Sequence, residues 1–236
     1  MGRRSRRSDR WPRVLSEVTD RLVKRYGTPH LGNFEDPARE VFYILLSART
    51  SETLYVRAFQ ALFAEYPTLA SLSRASPRSV LKCVGGAGLG KKRSEQVVEV
   101  AKKLVADFGD EADAQLRAMS VTDVYNYLTS LPGVGPKSAL CVMMWSLNVD
   151  VLPVDVNVQR IAARIGVIPG GLKHYQAQQL LPKFVPEGRS RDLHTVFMVH
   201  GRETCVPGVP KCGDCEIADL CRTGRKFLSQ GREQHR

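Results

Sequence analysis

A chain of 236 residues, 43% hydrophobic and 25% charged, has apolar material for one large domain or two small ones and too much for a disordered polypeptide. No apolar stretch approaches the roughly 18 residues of a membrane span. Val41 to Leu46 is far shorter, the arginines of the N-terminus are not followed by a secretory apolar segment, and Arg6 does not fit a myristoylation pattern after Gly2. The net charge of +11 sits mostly at the ends: residues 1–13 hold six arginines against Asp9, and residues 222–236 hold five basic residues against Glu233. Such ends attract a polyanion, through phosphates whose counterions are released on binding.

Along the chain, apolar residues recur with helical period and no segment alternates in the manner of a strand, so an all-α fold of short helices is expected. Val14 to Tyr26 forms the first helix and stops at Gly27. Pro37 opens a second, through Ala48; Ser51 caps a third, to about Glu65, and Pro77 starts a short one to Val84. The glycine-rich stretch 85–90 breaks the chain before a helix over about 91–108. Thr122 to Thr129 leads to a turn, and Pro136 begins the helix that runs through Leu147. Asp155 caps a helix to Ile165, ended by Gly166; helices over about 174–184 and 191–200 follow. Neither internal repeats nor low-complexity segments are evident.

Three groups of residues carry chemistry. In Leu131-Pro132-Gly133-Val134-Gly135-Pro136-Lys137, two glycines one residue apart permit a tight turn with outward amides at a helix start, an arrangement that binds phosphate. Lys137 at its exit is either a phosphate contact or, once deprotonated, a nucleophilic amine. Asp155, eighteen residues on, is a good helix cap and also a carboxylate able to stabilise positive charge. Cys205, Cys212, Cys215 and Cys221, with six, two and five residues between them, form a ligand set for zinc or for an iron–sulfur cluster. Cys83 and Cys141 lie in apolar helical contexts and read as core residues. This usage suits a reducing compartment rather than a disulfide framework.

The LPGVGPK turn with its distant aspartate, and the cysteine loop in the same order along the chain, resemble the helix-hairpin-helix (HhH-GPD) DNA glycosylase superfamily, in particular its endonuclease III-like branch, over about residues 14–222. The resemblance implies a six-helix barrel domain over about 30–148. A discontinuous cluster domain would comprise 1–29 with 149–236, residues 1–13 and 222–236 being basic tails, and a cleft between the domains would bring Lys137 and Asp155 together. It implies a [4Fe-4S] cluster on the four cysteines and a monomeric, intracellular, DNA-associated enzyme that removes a damaged or modified pyrimidine from duplex DNA and nicks abasic sites. Lys137 would form a Schiff base with the sugar, and Asp155 would stabilise the developing oxocarbenium charge. Leu131, Gly133, Val134 and Gly135 would contact DNA. Because a flipped-out base leaves a hole in the duplex, Leu89 would be the wedge and Arg49, where the family commonly has Gln, the plug; packing and phosphate contact are their plainer roles. Two alternatives stay open. The segment Pro153 to Ala162, in which Asn157 stands in place of the His usual in endonuclease III, resembles the corresponding segment of plant 5-methylcytosine glycosylases, and a non-catalytic DNA-binding module would keep hairpin and cluster alone.

Overall fold

The computed structural model describes residues 10–29, 31–85 and 90–233. Among them every regular element is helical: α1 (Arg10–Tyr26), α2 (Pro37–Ser47), α3 (Glu52–Glu65), α4 (Leu69–Ser73), α5 (Pro77–Val84), α6 (Gly90–Phe108), α7 (Ala112–Ala118), α8 (Val121–Ser130), α9 (Pro136–Ser146), α10 (Val156–Ile165), α11 (His174–Leu180), α12 (Ser190–Glu203) and α13 (Arg222–Glu233). The chain divides into two compact units, Gly32–Val149 and Met1–Leu31 with Asp150–Arg236.

The helix boundaries follow local chemistry. Pro37, Pro77 and Pro136 each sit in a first turn, where a missing N–H costs nothing. Ser76, Ser120 and Asp155 accept capping bonds from the amides of Ser79, Asp123 and Val158, whereas Ser51 occupies a cap position without making that bond. Gly166 closes α10 in the left-handed region at φ 101°. The helices α4 and α7 escape a periodicity reading because five and seven residues hold too few turns to show a period.

In the 32–149 unit, α2 is buried on nearly every side, with Pro37, Ala38 and all of 40–46 inaccessible, as expected of a central helix. It packs on α3, α6, α7 and α9. Rings of Phe34, Tyr43, Tyr55, Phe59 and Phe63 stack at one end with centroids 4.6–5.4 Å apart. In the other unit, α1 and α10 both pack on α12. Leu15, Val18 and Leu22 of α1 are fully buried in a core shared with Ile161, Val196 and Phe197, each such side chain contributing about 2 kcal/mol of apolar burial.

At the two ends, residues 10–13 belong to α1, with Trp11 against the core, and 222–233 is a helix. Packing decides this: Gly224 lies so close to the Ala218 backbone that a Cβ would collide with it, Phe227 adjoins Gly213, and the Thr223 hydroxyl donates to Arg164 C=O at 3.2 Å.

Candidate active site and cysteine loop

The turn between α8 and α9 is fixed by Val134 N–H donating to Leu131 C=O at 3.1 Å, with Gly133 at φ 81°. Leu131 and Val134 are 2% and 5% exposed, so their side chains anchor the hairpin in the core and only their backbone is left for a ligand. Gly135 differs. Its φ of −88° suits any residue, and a Cβ there would meet nothing within 4 Å. Neither φ nor packing requires glycine at this N-cap, and the open space there leaves room for close approach by an external group. Pro136 then starts α9, whose first turn carries no acidic residue and presents Lys137, half-buried.

Glu40, which sequence reasoning did not single out, lies in the same unit and is completely buried. Its carboxylate accepts from the Asn33 side-chain amide and from Phe34 N–H at 2.8 Å. Burial pushes its pKa up to about 8, against those two hydrogen bonds and the nearby charge of Lys137. A buried acidic residue within range of the Lys137 charge belongs to the electrostatics of this site. The available signal was its phase, since position 40 falls on the buried side of an almost wholly apolar helix.

Asp155 performs the capping role and retains a second oxygen. Its Oδ1 accepts from Val158 N–H at 2.8 Å and its Oδ2 from Asn157 Nδ2 at 3.2 Å. Asn157 Oδ1 in turn accepts from Arg160 Nη2 at 2.8 Å, and Arg160 Nε donates to Cys205 C=O at 3.0 Å. A continuous hydrogen-bonded chain thus joins Asp155 to the start of the cysteine loop.

Arg49 is exposed, just past α2, in the left-handed region at φ 58°. Leu89 lies outside the described residues.

The four loop cysteines follow α12. Cys212 and Cys221 are buried, Cys205 and Cys215 half-buried. Burial pushes the Cys215 thiol up to about 11, and the neighbouring Cys221, Cys205 and Cys212 push in the same direction. Cys212 and Cys221 are raised by burial and then by other cysteines of the four. Among the described residues, however, no group of three or more His, Cys, Asp or Glu closes into metal-holding geometry. Around them, Arg164 Nη1 donates to Cys205 Sγ at 3.2 Å and to Val206 C=O at 2.8 Å, while its Nη2 donates to Gly208 C=O at 2.8 Å. His200 is 1% exposed, with Nδ1 3.0 Å from the Tyr26 hydroxyl and Nε2 3.7 Å from Cys215 Sγ. Burial, then Arg160, holds its pKa down to about 4, so the ring is neutral. Four soft sulfurs, in a loop whose first residues are held by Arg164 and whose thiolates disfavour each other, fit a group that supplies positive charge among them.

Residues 42–187 match the profile of the HhH-GPD superfamily base excision DNA repair proteins. Over 213 residues the chain is 28% identical to endonuclease III of Thermotoga maritima, covering 90% of this chain and 94% of that protein. Endonuclease III of Escherichia coli K12 is likewise 28% identical over 213 residues, 89% of this chain and 95% of the relative. Among solved structures, a trapped endonuclease III–DNA covalent intermediate superimposes with a TM-score of 0.79 at 21% identity, covering 92% of this chain and 98% of the other. The chain belongs to the HhH-GPD superfamily of base excision DNA repair proteins.

Proposed function

We propose that this base excision DNA glycosylase and AP lyase removes a damaged or modified pyrimidine from duplex DNA, with Lys137 as the nucleophile and Asp155 as the charge-stabilising carboxylate. The observation that carries the reading is Gly135: an exposed glycine with an ordinary φ and empty space where its Cβ would be, immediately before the helix start that bears Lys137. A phosphate drawn onto that helix start fixes the DNA backbone beside the amine. Lys137 must be neutral to attack the sugar C1′. As Nζ bonds to C1′ the glycosidic C1′–N bond breaks and its electrons leave with the base; the C1′–O4′ bond then opens, a proton passing from Nζ to O4′, and the resulting imine permits loss of a C2′ proton and β-elimination of the 3′ phosphate. A carboxylate at Asp155 favours the positively charged sugar on the way. The bond from Asn157 Nδ2 orients that carboxylate without protonating it.

Cys205, Cys212, Cys215 and Cys221 would hold a [4Fe-4S] cluster, which supplies a structural cross-link to the loop. In this reading Arg164 and His200 orient the cysteines. The protein acts as a monomer on duplexes containing a damaged base or an abasic site. A modified cytosine is the second reading of the substrate, favoured by Asn157 as the residue that orients Asp155.

The deciding experiment is borohydride trapping on duplex DNA with a single abasic site. The protein should be captured covalently and Lys137→Ala should not, with DNA affinity changed less than about tenfold, or 1.4 kcal/mol. Undiminished trapping in Lys137→Ala removes Lys137 from the chemistry. A panel of duplexes with oxidised, deaminated and methylated pyrimidines then identifies the base.

A further inference from the structure

The segment that follows α2 adopts a conformation its residues do not favour. Ser47 C=O accepts from Thr50 N–H at 3.2 Å, Ala48 has φ −63° and ψ 118°, and Arg49 has φ 58°. These are the features of a type II turn, in which the third residue is left-handed and is ordinarily glycine or asparagine. An arginine there is strained. Rotating the Ala48–Arg49 peptide would convert the turn to type I, return Arg49 to negative φ, relieve the strain and send the side chain in another direction.

What opposes that rotation is visible at the oxygen of the same peptide. Ala48 C=O accepts from Arg93 Nη2 at 3.1 Å and from the Thr50 hydroxyl at 3.3 Å. Arg93, in the first turns of α6, is only 6% exposed, and among the described residues its buried Nε has no hydrogen-bond partner. A guanidinium is costly to bury, and burial lowers its pKa accordingly. Its bond from Nη2 is aimed at the carbonyl whose orientation distinguishes the two turn types.

We infer that Arg93 is a positioning residue for Arg49: by holding the Ala48 carbonyl it selects the type II turn, aims the Arg49 side chain, and thereby sets how the enzyme discriminates the base opposite the excised one. This rests on Arg49 filling the duplex at the flipped nucleotide. Arg93 touches no reacting atom in this scheme; its effect reaches the DNA through one residue.

The test uses the full chain and four duplexes, each with one abasic site opposite dA, dC, dG or dT, and reads single-turnover strand nicking. The ratio between best and worst opposite base should collapse in Arg49→Ala and also in Arg93→Gln, by about tenfold, with no further change in the double variant, a coupling within the range of residues sharing one network. Arg93→Lys, whose ammonium can still donate to the Ala48 carbonyl, should restore most of the discrimination. Thermal melts check folding; if Arg93→Gln does not fold, Thr50→Val, which deletes the other donor to that carbonyl, takes its place. A ratio altered by Arg49→Ala but unaffected by folded Arg93→Gln overturns the proposal alone, as does an Arg93→Gln effect that persists undiminished in Arg49→Ala. A ratio indifferent to Arg49→Ala overturns the placement of Arg49 in the duplex, and the proposal with it.

Discussion

Glu40 is a carboxyl group buried without a direct ion pair among the described residues, held by Asn33 and Phe34 within reach of the Lys137 charge. Its pKa lies near 8 in the folded protein against an ordinary 4.5, so the folded state binds its proton more tightly than the unfolded state does. Its contribution to stability is complete below the unfolded value and is lost as pH rises through the folded one. Glu40→Gln should therefore match the parent in thermal stability near pH 4.5 and exceed it at pH 8, by a few kcal/mol at most, on the order set by the shift. Melting both proteins across that range checks this; parallel curves would mean that Glu40 stays ionised. Individual residues differ in how readable they were. Lys137, Asp155 and the four cysteines stand out as candidates because turn glycines, a helix-cap position and short cysteine spacings are visible in one dimension, while the roles proposed for them come from the family resemblance. Glu40 does not, since an acidic residue near the start of a helix reads as a favourable dipole partner on the surface. Arg49 was visible as a departure from the family, but its left-handed backbone depends on a carbonyl held by Arg93, distant in sequence.

At the scale of elements, the α8–α9 hairpin sets two glycines in contrast. Gly133 needs its positive φ, and a Cβ would also strike the flexible end of Gln96, which can swing aside. Gly133→Ala should thus cost about 1–2 kcal/mol, mostly from the backbone. Gly135→Ala should leave stability within about 1 kcal/mol, its φ being compatible with alanine. Its effect belongs in DNA affinity, since the added methyl stands where phosphate would come. Chemical denaturation and a binding isotherm on each variant separate the two effects, and an equal weakening of affinity in both would deny Gly135 its special access. For the cysteine loop, purified protein should be yellow-brown, with broad absorbance near about 400 nm from sulfur-to-iron charge transfer. Cys212→Ser should lose iron and folded yield together, because the loop and α13 depend on one another. Colourless protein with stoichiometric zinc would defeat the cluster. Long helices with proline starts and glycine stops were legible element by element. The C-terminal helix α13 was not, because its sequence is mostly polar and its order comes from packing against Ala218 and Gly213.

For the whole molecule, the contribution of charge to DNA binding is tested on residues 1–9. Residues 1–9 hold four arginines against one aspartate. Removing them should weaken binding to damaged and undamaged duplexes alike and reduce the salt slope by about 0.9 for each phosphate that the protein no longer neutralises. Trapping at saturating DNA should persist. An unchanged slope would locate phosphate binding elsewhere in the chain. Deleting 222–236 would instead strip α13 from its packing, so a fall in activity there would report on stability.

The docking of α1 onto α12 has a consequence for how the chain is made. Residues 32–149 form a contiguous unit, complete once they have left the ribosome. In contrast, α1 precedes that unit in the chain, with Leu15, Val18 and Leu22 lacking their partners until Val196 and Phe197 have been synthesised. At roughly 5–20 residues per second, that interval is on the order of ten seconds or more. Cys221 and the helix that follows it appear later still. The unit that contains α1 is therefore the last to close, so a nascent chain stalled between α1 and α12 leaves the apolar face of α1 unburied.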